Sequence, residues 1–340
     1  MSEEIFTFFM QDFSGGGAEK MMINILNALY KQGYNVNLVV VRDNGPYKEK
    51  LNKSIGVYDL NCSRTIFSFF EFVKYLRQYK PTTVLSTLVH INILNIICIK
   101  LFSPKTKIII RESNALTKQR NISLPLIRLA VYLAPYIYPF ADNFIAISEG
   151  VKKDLVNYGN VEKGKIRVIY NPVINEVFLD QNRNKDLSHP WFKNKDVPIV
   201  ISAGRFEKQK DFKTLIRAFK IIHKEIGALL ILAGEGSQEI QLKNLVKEYS
   251  LEDCVEFPGF VDTLPNYMAH ADLFILSSRW EGFGNVLVEA LASNLQIVST
   301  DCPYGPSEIL NNGKYGSLVS VGDYKEMAEE SIQILKGKKK

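Results

Sequence analysis

Short apolar segments alternate with helical patterns along almost the whole chain, and this alternation restricts the possible folds more than any other feature. In the first half the apolar segments are IFTFFM, VNLVVV, TTVLST, KIIIRE and DNFIAIS. Between the first two lies AEKMMINILNALYKQG, which has apolar residues at helical spacing and ends at Gly33. Nearly continuous apolar strands that alternate with helices are typical of a parallel sheet covered on both faces.

The alternation stops in residues 173–197, which are polar and show no clear period, and it restarts at Pro198. The apolar segments of this second series are VPIVISAG, ALLILAG, CVEFPG, DLFILSS and QIVST. We therefore predict an α/β protein with two doubly wound domains, residues 1–172 and 198–340, separated by a linker or excursion. Ligands of such folds bind at the carboxyl ends of the strands, and two such domains that face each other form a cleft.

Cysteine and histidine spacing excludes several classes of protein. The four cysteines form no CxxC pair and the four histidines have no metal-ligand spacing, so we expect neither a zinc site nor a disulfide framework. The N-terminus has acidic residues where a signal peptide needs basic ones. The longest apolar stretch, residues 122–141, contains Arg128 and three prolines, which argues against a membrane span. These features favour a cytoplasmic protein.

Basic side chains are concentrated in residues 64–128, where eleven lysines and arginines accompany two acids, in a chain of net charge +6. Such a region is either a solvated basic face or a surface that attracts an anionic partner. We find no recognisable nucleic-acid-binding motif, so nucleic acid is not expected to be that partner.

Residues 65–80, TIFSFFEFVKYLRQYK, combine apolar and basic side chains as an interfacial helix does. The apolar residues of this stripe are Ile66, Phe69, Phe70 and Val73, and the basic ones are Lys74, Arg77 and Lys80. Residues 122–141 are a second candidate for the same interface. We expect peripheral docking on an anionic membrane, which attracts nearby lysine and arginine. The alternative is that the stripe packs on the chain's own sheet.

A glycine loop, Gly15, Gly16 and Gly17, follows the first strand and precedes a helix. Glycines let the backbone approach a ligand closely, and a helix N-terminus favours an anion. The alternative is a plain tight turn. A dinucleotide fingerprint is incomplete, because Lys20 stands where its third glycine belongs.

The first strand of the second domain ends in GRFEKQKD, which places Arg205 and Lys210 where a diphosphate would bind. Breaking a sugar–nucleotide bond leaves negative charge on the diphosphate, and fixed cations stabilise that charge as it develops. The alternative is a solvated charge run that opens a helix.

The segment EGFGNVLVE contains two acids, Glu281 after a strand and Glu289 within the next helix. A carboxylate accepts two hydrogen bonds from a vicinal diol, which suits ribose or sugar hydroxyls. The intervening residues, Gly282, Phe283, Gly284, Asn285 and Val286, expose backbone N–H groups where the helix starts. An acid in the apolar run NVLVEALA also needs a partner if it is buried.

Taken together, these motifs resemble the retaining GT-B glycosyltransferases, a family that includes glycogen synthase-like enzymes and bacterial lipid-linked glycan, capsule and O-antigen transferases. The matching features are SGGGAE, NPV at 171–173, GRFEKQKD, LAGEGS at 232–237, PGFVD at 258–262, EGFGNVLVEALAS and DCPYGPSEIL at 301–310. They occur in the family's order over nearly the whole chain. One departure is the C-terminus, where the family usually has a long helix that crosses back onto the first domain.

The resemblance implies a role for each matching position on the donor side. Arg205 and Lys210 bind the donor diphosphate, Glu289 holds the ribose, and Glu281 contacts the transferred sugar or the developing oxocarbenium ion. Of these, Glu281, Arg205 and Lys210 are the expected catalytic residues. Backbone amides around residues 283–285 contact sugar or phosphate, and the glycine loop closes over the phosphates.

Three further positions are candidates on the acceptor side. His90 follows a strand where the family often places a polar group of variable identity, so it is a candidate for the catalytic site as well as a simple helix-start residue. Arg111 and Glu112 end another strand, and Arg111 is placed to meet an acceptor phosphate.

These observations predict retaining transfer of a sugar from a nucleotide donor, by resemblance UDP-hexose or UDP-N-acetylhexosamine, to a glycan carried by a polyprenyl diphosphate. The chain has no DxD motif, so we expect neither a metal nor any other cofactor. The alternatives are a sugar-nucleotide epimerase of related architecture and a nucleotide-sugar-binding protein without turnover.

Overall fold

A computed structural model describes residues 4–14, 17–120, 124–183, 189–193 and 196–337. The chain divides into two compact units, Met1–Pro172 and Val173–Lys340. Each unit is an α/β layer structure built around one parallel sheet, as the alternation of apolar segments predicts.

Unit 1 contains a seven-stranded sheet in which every neighbouring pair is parallel, in the order β3-β2-β1-β4-β5-β6-β7. Its strands are β1 (Phe6–Met10), β2 (Val36–Val40), β3 (Gly56–Asp59), β4 (Thr83–Thr87), β5 (Lys107–Glu112), β6 (Asn143–Ala146) and β7 (Ile166–Val168). Its α-helices are α1 (Gly17–Lys31), α2 (Phe69–Tyr79), α3 (Val89–Phe102), α4 (Leu116–Gln119), α5 (Pro125–Ile137) and α6 (Glu149–Asn157).

The core of unit 1 forms where apolar helix faces cover apolar strands. On α1, Met22, Ile23 and Leu26 pack with Phe8 and Leu38 of the first two strands. Burial of such side chains contributes roughly 25 cal/mol per Å² of apolar surface removed from water. The strands β3 and β7 at the two edges carry no strong apolar signal, and pairing with β2 and β6 defines them instead.

Unit 2 contains a six-stranded parallel sheet in the order β10-β9-β8-β11-β12-β13. Its strands are β8 (Ile199–Ala203), β9 (Leu229–Ala233), β10 (Val255–Gly259), β11 (Leu273–Leu276), β12 (Gln296–Thr300) and β13 (Ser317–Val319). Its α-helices are α7 (Glu176–Arg183), α8 (Pro190–Lys193), α9 (Phe212–Ile226), α10 (Glu239–Glu248), α11 (Leu264–His270), α12 (Asn285–Ala292), α13 (Pro306–Ile309) and α14 (Tyr324–Leu335).

The segment expected to be a linker or excursion, residues 173–197, contains regular structure that packs within unit 2. Helix α7 lies against α11, and Asn182 donates from Nδ2 to Pro265 O at 3.2 Å and to Ser293 Oγ at 2.6 Å. In the same segment, His189 Nε2 lies 2.7 Å from Glu256 Oε2. These contacts come from tertiary packing, so a search for local periodicity does not detect them.

The last described helix, α14, packs on α9 and completes the core of unit 2. Met327, Ala328 and Ile334 are its residues in that core. Among the residues that the structure describes, no helix is long and apolar enough to cross a membrane.

Candidate active site

Two loops at the carboxyl end of the second sheet, after β8 and after β9, are joined by glycines. Gly204 N donates to Ala233 O at 3.0 Å, and Phe206 N donates to Glu235 O at 2.8 Å. At Gly234, where φ is +142°, a Cβ atom would lie 2.0 Å from Gly204 O. The glycines of LAGEGS therefore serve close backbone packing that positions the loop after β8, which carries two of the predicted cations.

Lys210 and Glu281, predicted separately on two different loops, form an ion pair. Lys210 Nζ donates to Glu281 Oε1 at 2.6 Å. Ser278 Oγ donates to the same oxygen, also at 2.6 Å. Glu281 is only 5% exposed, and within the described residues its second oxygen, Oε2, receives no hydrogen bond. A nearly buried carboxylate is thus held by one oxygen, and the other is left to accept hydrogen bonds from a ligand.

Arg205, the other predicted cation, is exposed on the loop after β8. In the parts of the chain that the structure describes, its guanidinium makes no hydrogen bond or ion pair. An exposed guanidinium beside the strand ends has its five donors available to a phosphate.

The segment after Glu281 turns sharply into α12. Gly284, with φ of +103°, is the N-cap residue of this helix. Gly305 packs so closely that a Cβ atom there would lie 1.7 Å from Phe283 O. Asn285 and Val286 form the first turn, and Glu289 lies half-buried in the second. The N-terminus of α12 therefore follows Glu281 within a few residues of the chain, and Gly282 between them is buried.

In unit 1, His90 lies in the first turn of α3 at the carboxyl end of β4. The residue before this helix, Leu88, has φ of +73°, a conformation that costs energy and persists where the surrounding structure enforces it. His90 Nε2 lies 3.3 Å from Gln11 Oε1 at the end of β1, and Nδ1 is buried without a hydrogen-bond partner. Burial lowers the pKa of His90 to about 4, so its imidazole is neutral at pH 7.

Arg111 and Glu112 are almost completely buried at the end of β5. Arg111 donates from Nη2 to Asn171 Oδ1 at 2.5 Å, whereas Nη1 has no partner. Burial raises the pKa of Glu112 to about 7, and its Oε2 accepts from Tyr138 Oη at 2.7 Å. Both side chains are thus engaged inside unit 1, and a role for either in acceptor binding stays a prediction.

Of the glycine loop, Gly15 and Gly16 lie outside the described residues, and Gly17 is the first residue of α1. Immediately before the loop, Asp12 Oδ1 accepts from Ser14 N at 3.0 Å. Sequence reasoning missed Gln11 and Ser278, which contact His90 and Glu281. Ser278 had a usable signal, because it stands three residues before Glu281 at the end of β11.

The predicted interfacial stripe of residues 65–80 has a divided environment. Val73 packs inside unit 1, whereas Ile66, Phe67 and Phe70 are exposed, Phe70 by 74%. A larger exposed apolar face lies on and beside α5. Its members are Leu124, Leu126, Leu129, Tyr132, Leu133, Tyr136 and Phe140, with exposures from 39% to 75%.

Among the described residues, no three His, Cys, Asp or Glu side chains are grouped as a metal ion would require.

Two doubly wound α/β units, the second with a cation–carboxylate site at its strand ends, define the GT-B class. Two family models match the chain in succession: Glycosyltransferase Family 4 over residues 15–176, and Glycosyl transferases group 1 over residues 184–340. The chain belongs to the GT-B glycosyltransferases, which confirms the predicted family and fold class.

Similar proteins include two bacterial glycosyltransferases. The N-acetylgalactosamine-N,N'-diacetylbacillosaminyl-diphospho-undecaprenol 4-alpha-N-acetylgalactosaminyltransferase of Campylobacter jejuni is 28% identical over 94% of this chain and 87% of its own length. An amylovoran biosynthesis glycosyltransferase of Erwinia amylovora is 25% identical over 89% of this chain and 82% of its own length. Among solved structures, Anabaena HepE in complex with UDP-glucose superposes with a TM-score of 0.79 at 21% identity, over 98% of this chain and 90% of that one, which shows the shared fold.

Proposed function

We propose that this chain is a retaining, metal-independent glycosyltransferase of bacterial surface polysaccharide synthesis. It transfers a sugar from a UDP-hexose or UDP-N-acetylhexosamine to a glycan linked to a polyprenyl diphosphate. The observation that carries the proposal is the nearly buried Lys210–Glu281 pair, because it places a cation and a half-satisfied carboxylate together at the carboxyl end of a parallel sheet.

The two charges of this pair suit the two parts of a nucleotide-sugar donor. Lys210, with Arg205 and the N-terminus of α12, supplies positive potential for a diphosphate whose negative charge grows as the sugar leaves. Glu281 Oε2 is available to accept a hydrogen bond from a sugar hydroxyl. These fixed groups supply electrostatic stabilisation of the kind that a divalent ion provides in other transferases, which supports metal independence.

The names of related proteins support the donor and the acceptor. The name of the Campylobacter relative includes a diphospho-undecaprenol-linked sugar, and the structure of the Anabaena neighbour was solved with UDP-glucose. We extend both to this chain: UDP as the nucleotide, and a polyprenyl-diphosphate glycan as the acceptor. Retention follows from the resemblance to the retaining members of the family.

The exposed apolar face of α5 supports peripheral binding of the protein to the cytoplasmic membrane. Leu129 and Tyr136 on this helix are 54% and 75% exposed, and Arg128, which directly precedes Leu129, is exposed as well. Nearby, the guanidinium of Arg120 stacks over the Tyr132 ring with 5.4 Å to its centroid. Apolar and aromatic side chains beside cations match an anionic bilayer surface, where a lipid-linked acceptor resides.

The activity is tested by incubating the protein with a panel of nucleotide sugars and a synthetic polyprenyl-diphosphate disaccharide. We expect UDP release that requires the acceptor, and a product whose new linkage has the anomeric configuration of the donor by NMR. Donor-only conversion to another nucleotide sugar indicates an epimerase. Donor binding without acceptor-dependent release indicates a binding protein.

Membrane docking is tested by sedimentation with vesicles. We expect binding to vesicles that contain anionic lipid, with a decrease as salt rises because the attraction is screened. Leu129→Glu should weaken binding, whereas Ile240→Glu, at a 76% exposed position on α10 of unit 2, should leave it unchanged. Equal binding of the two variants contradicts docking through α5.

A further inference from the structure

The carboxylate of Glu281 is held in an unusual way for a nearly buried group. Both of its protein donors, Lys210 Nζ and Ser278 Oγ, approach the same oxygen, each at 2.6 Å. A carboxylate fixed by a single donor can rotate about its terminal bond. Two donors on one oxygen restrict that rotation, and they therefore restrict the directions in which Oε2 presents its lone pairs.

Ser278 is itself fixed by the sheet. Its side chain is fully buried, and its backbone oxygen accepts from Thr300 Oγ1 at the end of β12, at 2.6 Å. On the other side, Glu281 N donates to Pro303 O at 2.9 Å. The hydroxyl of Ser278 thus starts from a rigid position and bonds a charged group, an arrangement stronger than a neutral hydrogen bond.

A second set of bonds fixes Lys210 relative to the same strand end. Ser277 Oγ donates to the backbone oxygen of Lys210 at 2.7 Å. Arg279 donates from Nε to Asp211 Oδ2 at 2.9 Å and from its backbone N to Gln209 O at 2.8 Å. The residues on both sides of Lys210 are therefore tied to the residues next to Ser278.

Asp211, the partner of Arg279, occupies the left-handed region with φ of +47°. Its carboxylate also accepts from Thr214 Oγ1 at 3.0 Å in the first turn of α9. Gln209 completes the connection by donating from Nε2 to Trp280 O at 2.9 Å. The loop after β8 and the loop after β11 thus form one rigid frame around the Lys210–Glu281 pair.

We propose that Ser278 and Arg279 are positioning residues of the donor site. Ser278 orients the carboxylate of Glu281 toward the sugar, and Arg279, through Asp211, holds Lys210 in its position beside Glu281. The proposal rests on the proposed function and adds to it two residues that act through Glu281 and Lys210. It assigns Ser278 to orientation of the sugar, and not to retention of UDP.

The signature of such a role is a separation between the sugar and the nucleotide. Ser278→Ala removes one donor from a charged acceptor, so affinity for the sugar portion and turnover should fall by roughly ten- to a hundredfold. Affinity for UDP alone should stay within about twofold, because the change affects the carboxylate that accepts from the sugar. A merely structural role lowers both affinities together.

The experiment measures Kd for UDP and for the UDP-sugar by calorimetry, together with transfer kinetics, in wild type and Ser278→Ala. The matched control is Ser202→Ala. Ser202 is equally buried, and its Oγ donates to Ile275 O at 2.6 Å, away from the pair. We expect the control to keep the wild-type ratio of the two Kd values and Ser278→Ala to lose it. An unchanged ratio in Ser278→Ala, or the same change in both variants, overturns the proposal.

Two further variants keep the test decisive if Ser278→Ala folds poorly. The Arg279 side chain is 56% exposed, and Arg279→Ala removes its link to Asp211; we expect a loss of about two- to fivefold that includes affinity for UDP alone, because Lys210 is assigned to the diphosphate. In a Glu281→Gln background, Arg279→Ala should cost less than it does alone, because residues that act through one group are not additive. Full additivity overturns the proposal. Absence of transfer in wild type refutes the proposed function instead, while the Kd ratios still test the frame.

Discussion

Lys210→Met is the perturbation whose stability cost follows most directly from the structure. Removing one partner of a buried ion pair leaves an uncompensated charge and costs about 3–5 kcal/mol. Here Lys210 is 18% exposed along its side chain, and Ser278 still donates to Glu281. We therefore expect a cost at or below the lower limit of that range, about 2–3 kcal/mol in the free energy of unfolding of unit 2.

Both tryptophans of the chain, Trp191 and Trp280, lie in unit 2, so tryptophan fluorescence during urea unfolding follows that unit selectively. The matched control is Lys336→Met, which removes an exposed pair to Glu225, 3.7 Å long with side-chain exposures of 41% and 52%. That change should cost less than about 1 kcal/mol. If Lys210→Met costs no more than Lys336→Met, the pair does not behave as a buried one and the reasoning is wrong.

A double variant at Lys210 and Glu281 distinguishes the effect of this pair on stability from its effect on activity. Adding Glu281→Gln to Lys210→Met should recover most of the lost stability, because the remaining buried group is then neutral. Transfer activity should stay lost in the double variant, since both charges that serve the donor are gone. Recovery of activity together with stability contradicts the assignment of the pair to the donor site.

Further predictions concern turnover, metals and pH. Arg205→Ala should lower kcat by roughly 10²–10³ with little change in UDP affinity, because charge on the diphosphate grows in the transition state; wild-type kinetics refute that role. Activity should persist in chelator, and a loss that manganese or magnesium restores contradicts metal independence. The pKa of Glu112 is raised from about 4.5 to about 7, so its own contribution to the stability of unit 1 falls by about 3 kcal/mol as pH rises through that interval, whereas buried His90, whose pKa is lowered to about 4, contributes in the opposite direction. Urea unfolding followed by near-UV circular dichroism should therefore show that Glu112→Gln stabilises unit 1 relative to wild type more at pH 8 than at pH 5; an equal difference at the two pH values means that Glu112 does not titrate in this range.

The sequence alone determined the two sheets and which residues follow the carboxyl ends of their strands. Nearly continuous apolar segments predict where β1, β4, β8 and β11 lie, because a strand that is buried on both faces needs apolar side chains along its whole length. Connections in doubly wound folds place ligand-binding loops at the carboxyl ends of strands. Arg205, Lys210 and Glu281 were therefore identified from their place after strands.

Tertiary structure decided which elements escaped that pattern. The edge strand β3 has mostly exposed residues, so its sequence GVYD lacks an apolar signal and pairing with β2 defines it. Helix α7 likewise lies in a polar segment and is held by contacts with α11. Local periodicity indicates a strand or helix that buries one face. It does not detect an element such as β3 or α7, which is stabilised by contacts with residues far along the chain.

The chemistry of individual side chains was also decided by distant partners. Lys210 and Glu281 are 71 positions apart, and only the adjacency of β8 and β11 in the sheet brings them to one site. Arg111 and Glu112 end a strand just as the predicted donor residues follow theirs, yet Arg111 is bonded to Asn171 and Glu112 to Tyr138, and both are buried. The position of a residue along a strand can be predicted from the local sequence. Its exposure and its charge partners depend on which other elements cover that strand end, and only the folded chain determines those elements.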